Sequence, residues 1–372
     1  MRGKILFGTS ERPLIVPVGD DTFTREAIRL FVHGRVRRAW ATAMLKLDHW
    51  LPPLRLLPKV KLSQFPLPEA YAELGLSGLS FAVYCGSPGP LCKLTVYSAA
   101  SERWVTKIAL QPSADQMVRN EGDVLAALAE RRIGVGLIPR LVSHGQLSSG
   151  RSFVRTTVLS AGRREPRFGS MHREFLSQLH ASGGDADKTW KESHTYATLL
   201  SRAAAINDCL DRESRELIAA VLADIAVLSH DQPVAECVVH GDFAPWNITM
   251  TDRLCVFDWE YAQVRGNPLH DFLHFHVMSS ALLHRRLGRA ALRRLISLAG
   301  SQLERVAGSP PDPRLVGALT LQYIADTVIF YCEADGELKR EHPVIKAYML
   351  LLRRRHSWLP ADIAEKGVAD ER

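Results

Sequence analysis

Apolar positions recur along this chain in two rhythms, and the change between them divides it. Between residues 66 and 158 the runs LSFAVYC, LCKLTVYS and RWVTKIAL alternate or run apolar. The turn signals GSPG and SAASE separate them, so the pattern predicts strands joined by tight turns. A helical pattern follows from Ser113 to Arg131, with NEGDVLAALAER at its centre, and SFVRTTVLS at 152–160 predicts one more strand. AGRREPRFGS then reads as a connector. From Met171 onward the period is helical, over 171–182, 192–210, 212–229, 269–285, 289–306 and 313–333. The exception lies near 236–260, where CVVHGD and LCVFDWE are short apolar runs joined by a polar loop. Ahead of all this, LIVPV at 14–18 predicts a short strand, and Thr24 to about Leu47 a helix capped by Thr24. Three regions result: an N-terminal region at 1–65, a strand-rich lobe at 66–160 and a helical lobe at 161–372.

Length and composition agree with that division. A chain of 372 residues is too long for one compact core and long enough for two lobes. The longest apolar stretch, Leu315 to Cys332, holds Gln322 and Asp326 and predicts a buried core helix rather than a bilayer span. The opening MRGKILFGTSERPLIVP has no apolar core followed by a small-residue cleavage site, so no signal peptide is expected. Six cysteines stand at 85, 92, 209, 237, 255 and 332, without CxxC or zinc-site spacing. Scattered thiols of this kind fit a cytoplasmic protein.

Charge changes the picture in one place. The net charge of +7 suits a polyanionic partner without choosing among nucleotides, nucleic acid and an acidic membrane. Nine of the basic residues fall between Arg25 and Lys61, against only Glu26 and Asp48, and Trp40 and Trp50 interleave with them. The expectation is a helix that packs its apolar side on the next domain. Peripheral contact with an anionic membrane through residues 24–61 is the alternative.

The candidate chemistry lies in VVHGDFAPWNITMTDRLCVFDWE, Val238 to Glu260. Asp242 stands five residues before Asn247, and Asp258 ends the next apolar run. Two carboxylates and an amide offer hard oxygen ligands of the kind Mg²⁺ takes alongside water and phosphate. Phosphoryl transfer needs such a metal, together with an oxygen base for the incoming hydroxyl.

These residues resemble the aminoglycoside phosphotransferase and choline kinase superfamily, whose catalytic loop is written HGD followed by an Asn. The resemblance implies an α+β, bilobal protein-kinase-like fold, with a small antiparallel-sheet N-lobe and a larger, mostly helical C-lobe. It implies Asp242 as the catalytic base, Asn247 and Asp258 as metal ligands, and His240 as a structural residue of the loop. Gly266-Asn267-Pro268-Leu269-His270-Asp271 is similar to a family element whose last Asp braces that loop, which makes Asp271 structural. Upstream, Lys107 matches the lysine that contacts nucleotide phosphates and Glu121 the acid that pairs with it. Strand 152–160 would be the hinge, with Leu159 to Ala161 offering backbone groups to the nucleotide base, and His180 resembles the LH ending of the first large-lobe helix. The resemblance covers about residues 75 to 340.

Several positions depart from the family pattern or stand outside it. Trp246 replaces the usual Gly before the Asn and is expected to pack beneath the loop. The turn Cys85-Gly86-Ser87-Pro88-Gly89-Pro90 holds two prolines, which have no N–H to offer a phosphate. His270, His274 and His276 are expected as packing histidines. Arg163, Arg164 and Arg167 are expected as an exposed basic loop, and the arginines at 285, 286, 289, 293 and 294 as a solvated helix face.

The function implied is Mg²⁺-dependent transfer of the γ-phosphoryl group of ATP or GTP to a hydroxyl of an aminoglycoside-, choline- or sugar-like acceptor. Nucleic acid is not an expected partner. A cationic acceptor would need carboxylates, for which Glu260, Glu333, Asp335 and Glu337 are available, whereas the positive net charge argues for a neutral or anionic one. The alternative is a catalytically weak kinase-fold protein that binds nucleotide or a partner. The proline-containing turn favours it; the intact Asp242, Asn247 and Asp258 oppose it.

Overall fold

A computed structural model describes the chain except residues 1, 7–12, 18, 33–34, 51–56, 58, 62–66, 77, 87–88, 101, 132–133, 135, 160–161, 182–187, 230–231, 286 and 360–372. It divides into two compact units, Met1–Glu130 with Ile138–Arg163, and Arg131–Leu137 with Arg164–Arg372.

The first unit begins with strands β1 (Arg2–Leu6) and β2 (Leu14–Pro17), then helices α1 (Asp21–Phe31) and α2 (Arg35–Trp50). Strand β3 (Lys59–Lys61), helix α3 (Pro68–Glu73), strands β4 (Ser80–Cys85), β5 (Lys93–Ala99) and β6 (Arg103–Ala109), and helix α4 (Pro112–Leu128) follow. After β7 (Gly136–Leu137), which belongs to the second unit, β8 (Leu141–Gln146) and β9 (Ser152–Thr157) complete it. Eight strands form one antiparallel sheet in the order β3-β1-β2-β4-β5-β6-β9-β8.

The period-2 pattern sorts side chains to the two faces of this sheet. Ile15, Phe81, Val83, Leu94, Val96 and Ile108 pack with Tyr71 and Leu74 of the α3 segment. Leu14, Val16, Ala82 and Tyr97 point the other way and pack with Phe23, Ala27 and Ile28 of α1 and Ala41 of α2. Shifting any strand by one residue would exchange these two sets, so burial fixes the register.

The first 65 residues, expected as a separate basic extension, therefore supply three strands and two helices to this unit. The expected helix from Thr24 to Leu47 is two helices, because the backbone at Val32 is extended. Its cap is Asp20, whose carboxylate accepts from the N–H of Phe23 at 3.0 Å. Thr24 is buried instead, and its hydroxyl donates to the Pro17 carbonyl at 3.3 Å. The apolar side of α1 is covered by the sheet and is not available to a membrane contact through 24–61. Trp40 and Leu47 stay exposed on α2, and residues 51–56 and 58 of that segment lie outside the described residues.

The second unit contains helices α5 (Ser170–His180), α6 (His194–Ala205) and α7 (Arg212–Leu228), then strands β10 (Cys237–Val239), β11 (Ile248–Met250), β12 (Leu254–Val256) and β13 (Gln263–Gly266). Helices α8 (His270–Leu282), α9 (Arg289–Ala307), α10 (Pro313–Asp335) and α11 (Pro343–Arg353) follow. All six helical patterns of the sequence are helices; α11 was not anticipated. The strands form two small sheets, β10 with β13, and β11-β12-β7 with β7 parallel to β12. Helix α10 is the buried core helix expected from its composition, and it packs on α6, α7, α8, α9 and α11. Its polar residues are matched: Gln322 accepts from the indole N–H of buried Trp190 at 2.6 Å, and Asp326 pairs with Arg202.

Candidate active site

Two loops of the second unit carry the candidate chemistry, one between β10 and β11 and the other between β12 and β13. They cross at Gly241, where φ is +81° and a Cβ would lie 2.1 Å from the carbonyl oxygen of Tyr261. Only glycine fits both that conformation and that approach. The buried ring of His240 ties the loops together. Its Nδ1 accepts from the N–H of Asp242 at 3.2 Å, so its Nε2 carries the proton and donates to the Phe257 carbonyl at 3.0 Å. The N–H of Phe257 donates to the Asn247 carbonyl at 3.1 Å. Asp258, the next residue, is held at φ +72°, a left-handed conformation that costs a side-chain-bearing residue about 1–2 kcal/mol. Strain of this kind collects at functional sites, where the surroundings enforce it.

Asp242 is partly exposed, and three side chains donate to it. Asn247 Nδ2 donates to Oδ2 at 2.8 Å and to the Asp242 carbonyl at 3.0 Å. The Trp246 indole N–H lies 3.2 Å from Oδ2 and 3.3 Å from Oδ1. His274 Nε2 donates to Oδ1 at 2.9 Å. Trp246, expected only to pack, thus bonds the carboxylate directly.

Helix α8 braces this loop from one face. Asp271, fully buried, accepts from the N–H groups of His240 at 2.7 Å and Gly241 at 3.0 Å. His270 Nε2 donates to the Gly241 carbonyl at 3.1 Å. Burial lowers the pKa of His270, which favours the uncharged ring. With His274 one turn further on, positions 270, 271 and 274 all reach the same three-residue stretch, 274 lying i+4 from 270 and i+3 from 271. The two histidines are therefore not mere packing residues. Their spacing around Asp271 was the signal available, since a helix face that reaches the loop at one residue reaches it at i+4 as well. Arg164 also differs from the exposed loop expected of it, because Nη1 donates to the carbonyls of Trp246 at 3.0 Å and Pro245 at 3.4 Å. The histidine at 276 packs as expected, against Phe168, Phe272 and Phe275.

The donor set fits a hard divalent cation. Because Asn247 commits its NH₂ group to Asp242, its Oδ1 is left as an oxygen ligand beside the loop that carries the Asp258 carboxylate. Two phenols share the neighbourhood of Asp242. Burial, then the charges of Asp242 and Asp335, push Tyr331 up to about 12. Burial and the charges of Glu260, Asp242 and Asp258 also raise Tyr261. Both phenols keep their protons at neutral pH.

In the first unit, Lys107 Nζ meets Glu121 Oε2 at 2.6 Å, with the carboxylate side chain only 3% exposed. The pairing expected from sequence is present. Leu159 is half-buried just past the end of β9, while Ala161 lies outside the described residues. In the proline-containing turn, the N–H of Gly86 is committed to the Lys93 carbonyl at 2.9 Å, and Ser87 and Pro88 lie outside the described residues.

A family model described as the phosphotransferase enzyme family matches residues 94–309. Among solved structures, the chain is similar to the apo form of a thermostable mutant of aminoglycoside phosphotransferase APH(4)-Ia. Identity is 15% and the TM-score 0.52, with 77% of this chain and 98% of that one covered. It is similar also to the streptomycin–ATP ternary complex of APH(2")-IIa, at 15% identity and a TM-score of 0.50, with 81% and 100% covered. No curated protein matches the chain. At this identity the structural likeness establishes the fold, which is the α+β, protein-kinase-like fold expected from the sequence.

Proposed function

Since the chain belongs to the phosphotransferase enzyme family, a group of kinases acting on hydroxyl acceptors, we propose that it phosphorylates a neutral, ring-bearing, hydroxylated small molecule from ATP or GTP. The observation that carries this reading is the Asp242 carboxylate, oriented by Asn247, Trp246 and His274 within a loop that Asp271 braces.

In the reaction, the acceptor oxygen forms a bond to the γ-phosphorus while the bond to the β–γ bridging oxygen breaks, and the nucleoside diphosphate leaves. Asp242 takes the proton of the acceptor hydroxyl. Asn247 and Asp258 are the residues that would hold Mg²⁺, which when bound neutralises phosphate charge. Lys107, oriented by Glu121, would contact the phosphates of the donor nucleotide.

The acceptor class follows from which carboxylates remain unpaired. A polycation needs unpaired carboxylates on the protein. Of the four carboxylates available to a cation, Glu333 is instead bonded by Arg202 at 2.7 Å, Asp335 by Lys339 at 2.9 Å, Glu260 is buried, and Glu337 alone stays exposed without an ion pair among the described residues. Trp246, Tyr261 and Tyr331, all partly exposed, offer aromatic faces and protonated hydroxyls near the base. That combination suits the apolar face and hydroxyl rim of a sugar-like ring. All six cysteines are free thiols, in keeping with the cytoplasmic location we propose.

The test is a panel of neutral glycosides, polycationic aminoglycosides and choline, incubated with Mg²⁺ and either ATP or GTP and scored by ³¹P NMR for a new phosphate ester. Transfer to neutral glycosides is expected. Transfer confined to the cations would overturn the acceptor class, and nucleotide binding without transfer to any acceptor would favour the catalytically weak reading that the committed Gly86 N–H supports.

A further inference from the structure

We propose that His274 is a positioning residue for the base, held in one tautomer by a buried pair of tyrosines, and that it fixes Asp242 through Oδ1. The proposal rests on the reading of Asp242 as the base.

The chemistry of the imidazole sets the direction of the chain. An ionised carboxylate only accepts, so the 2.9 Å contact with Asp242 Oδ1 requires a proton on His274 Nε2. In the neutral ring Nδ1 is then left to accept, and the hydroxyl of Tyr323 faces it at 3.4 Å. Tyr323 in turn bonds the hydroxyl of Tyr348, which can donate to it. Both tyrosines are fully buried, and burial raises the pKa of each phenol, so the protons stay on oxygen. The donors therefore run Tyr348 to Tyr323 to His274 to Asp242, across α11, α10 and α8. The ring of His270 stacks on His274 at 5.7 Å and meets Tyr323 edge-on at 5.1 Å, which holds the imidazole in plane for both bonds.

Packing alone does not call for this arrangement. Phenylalanine at 323 and 348 would occupy nearly the same volume without burying hydroxyls, and buried hydroxyls need partners. Here the partners are each other, the Thr327 side chain and one ring nitrogen, and the far end of the line is the carboxylate of the base. Such a fully satisfied buried network favours a single arrangement. Removing partners that orient the ligands of a metal site typically costs about 10–100-fold in activity, and a loss of that order is expected for a group orienting this carboxylate.

The test compares His274→Ala, His274→Gln and Tyr323→Phe in the full chain, with the acceptor found above. His274→Ala is expected to lower kcat at least tenfold while the nucleotide KM stays within twofold. His274→Gln, whose amide can still donate to Oδ1, should recover most of that loss. Tyr323→Phe should give an intermediate kcat. In ¹⁵N-histidine spectra, the resonances lost in His274→Gln should show a protonated Nε2 and a bare Nδ1 in the wild type, and Tyr323→Phe should move the Nδ1 signal. The role is overturned if His274→Ala keeps kcat within twofold, if His274→Gln is as impaired as His274→Ala, or if Nδ1 carries the proton. Should His274→Ala fail to fold, His274→Gln, Tyr323→Phe and the spectra decide the matter. A wild-type protein that transfers to no acceptor would overturn the kinase reading and this role with it, whereas an active His274→Ala variant would overturn this role alone.

Discussion

At the scale of single residues, the two loops assign different tasks to chemically similar side chains. In the proposed reaction Asp242 acts on the acceptor hydroxyl, so Asp242→Ala should lower kcat by 10²- to 10⁴-fold and leave Mg²⁺-dependent nucleotide affinity within a fewfold. Asp258→Ala should weaken that affinity as well, since its carboxylate is assigned to the metal. Isothermal titration with a non-hydrolysable nucleotide separates the two, and equal loss of binding in both variants would count against the division. Gly241 carries a structural demand instead. With φ at +81° and the Tyr261 carbonyl 2.1 Å from where a Cβ would stand, Gly241→Ala should destabilise the protein by about 2 kcal/mol or more, read as a shift in the urea midpoint. The HGD motif was legible because its spacing to Asn247 and Asp258 is fixed by such backbone demands. Contacts of Trp246, Arg164 and His274 with the loop were not, because they depend on side-chain direction or on elements far along the chain.

At the scale of elements, helix α5 and the first half of α8 bury histidines that must stay uncharged. Burial holds His172, His180 and His276 each at about 4, against an ordinary value of 6.5. For His172 the neutral ring has a task, since Nδ1 accepts from the Gly169 N–H at 3.2 Å where α5 begins. The unfolded chain takes up protons at these sites below about pH 6.5, and the folded chain only near 4. Their contribution to stability is therefore fully present above 6.5 and is lost as the pH falls from there towards 4. A shift of that size at His180 corresponds to at most about 3.5 kcal/mol. Urea unfolding at pH 7, 6 and 5 should show a falling midpoint, and His180→Leu should flatten the slope; an unchanged slope in the variant would remove His180 from the account. Strong periodicity made these helices readable from sequence. Among the elements that were missed, β7 has two residues, β3 has three, and β8 passes from half-buried to exposed positions without alternation, whereas α11 was missed although its buried positions recur at helical spacing.

At the scale of the whole molecule, the part most legible in the sequence is the part the family model matches, residues 94–309, and the N-terminal 65 residues are where sequence and structure part most clearly. Their basic composition suggested an appendage, because charge is read along the chain while sheet pairing is not. Physically they complete the first unit. Ile15 pairs with Val83, so without β2 the strand β4 would become an open edge with unpaired N–H and C=O groups. Phe23 stacks on Tyr97 at 4.7 Å, and Glu26 binds both the Tyr97 hydroxyl and Arg103 at 2.7 Å. Removing residues 1–65 would strip one face of the sheet, leaving Ala82 and Tyr97 in water, and would leave the tyrosine without its carboxylate partner. An appendage could be cut away at little cost, whereas a part of the core could not. The truncated chain is therefore expected to be insoluble, or to unfold without a cooperative transition and with weakened near-ultraviolet circular dichroism. A truncated protein with the thermal midpoint of the full chain would show that the sheet closes without β1, β2 and β3, and would return those residues to the role of an extension.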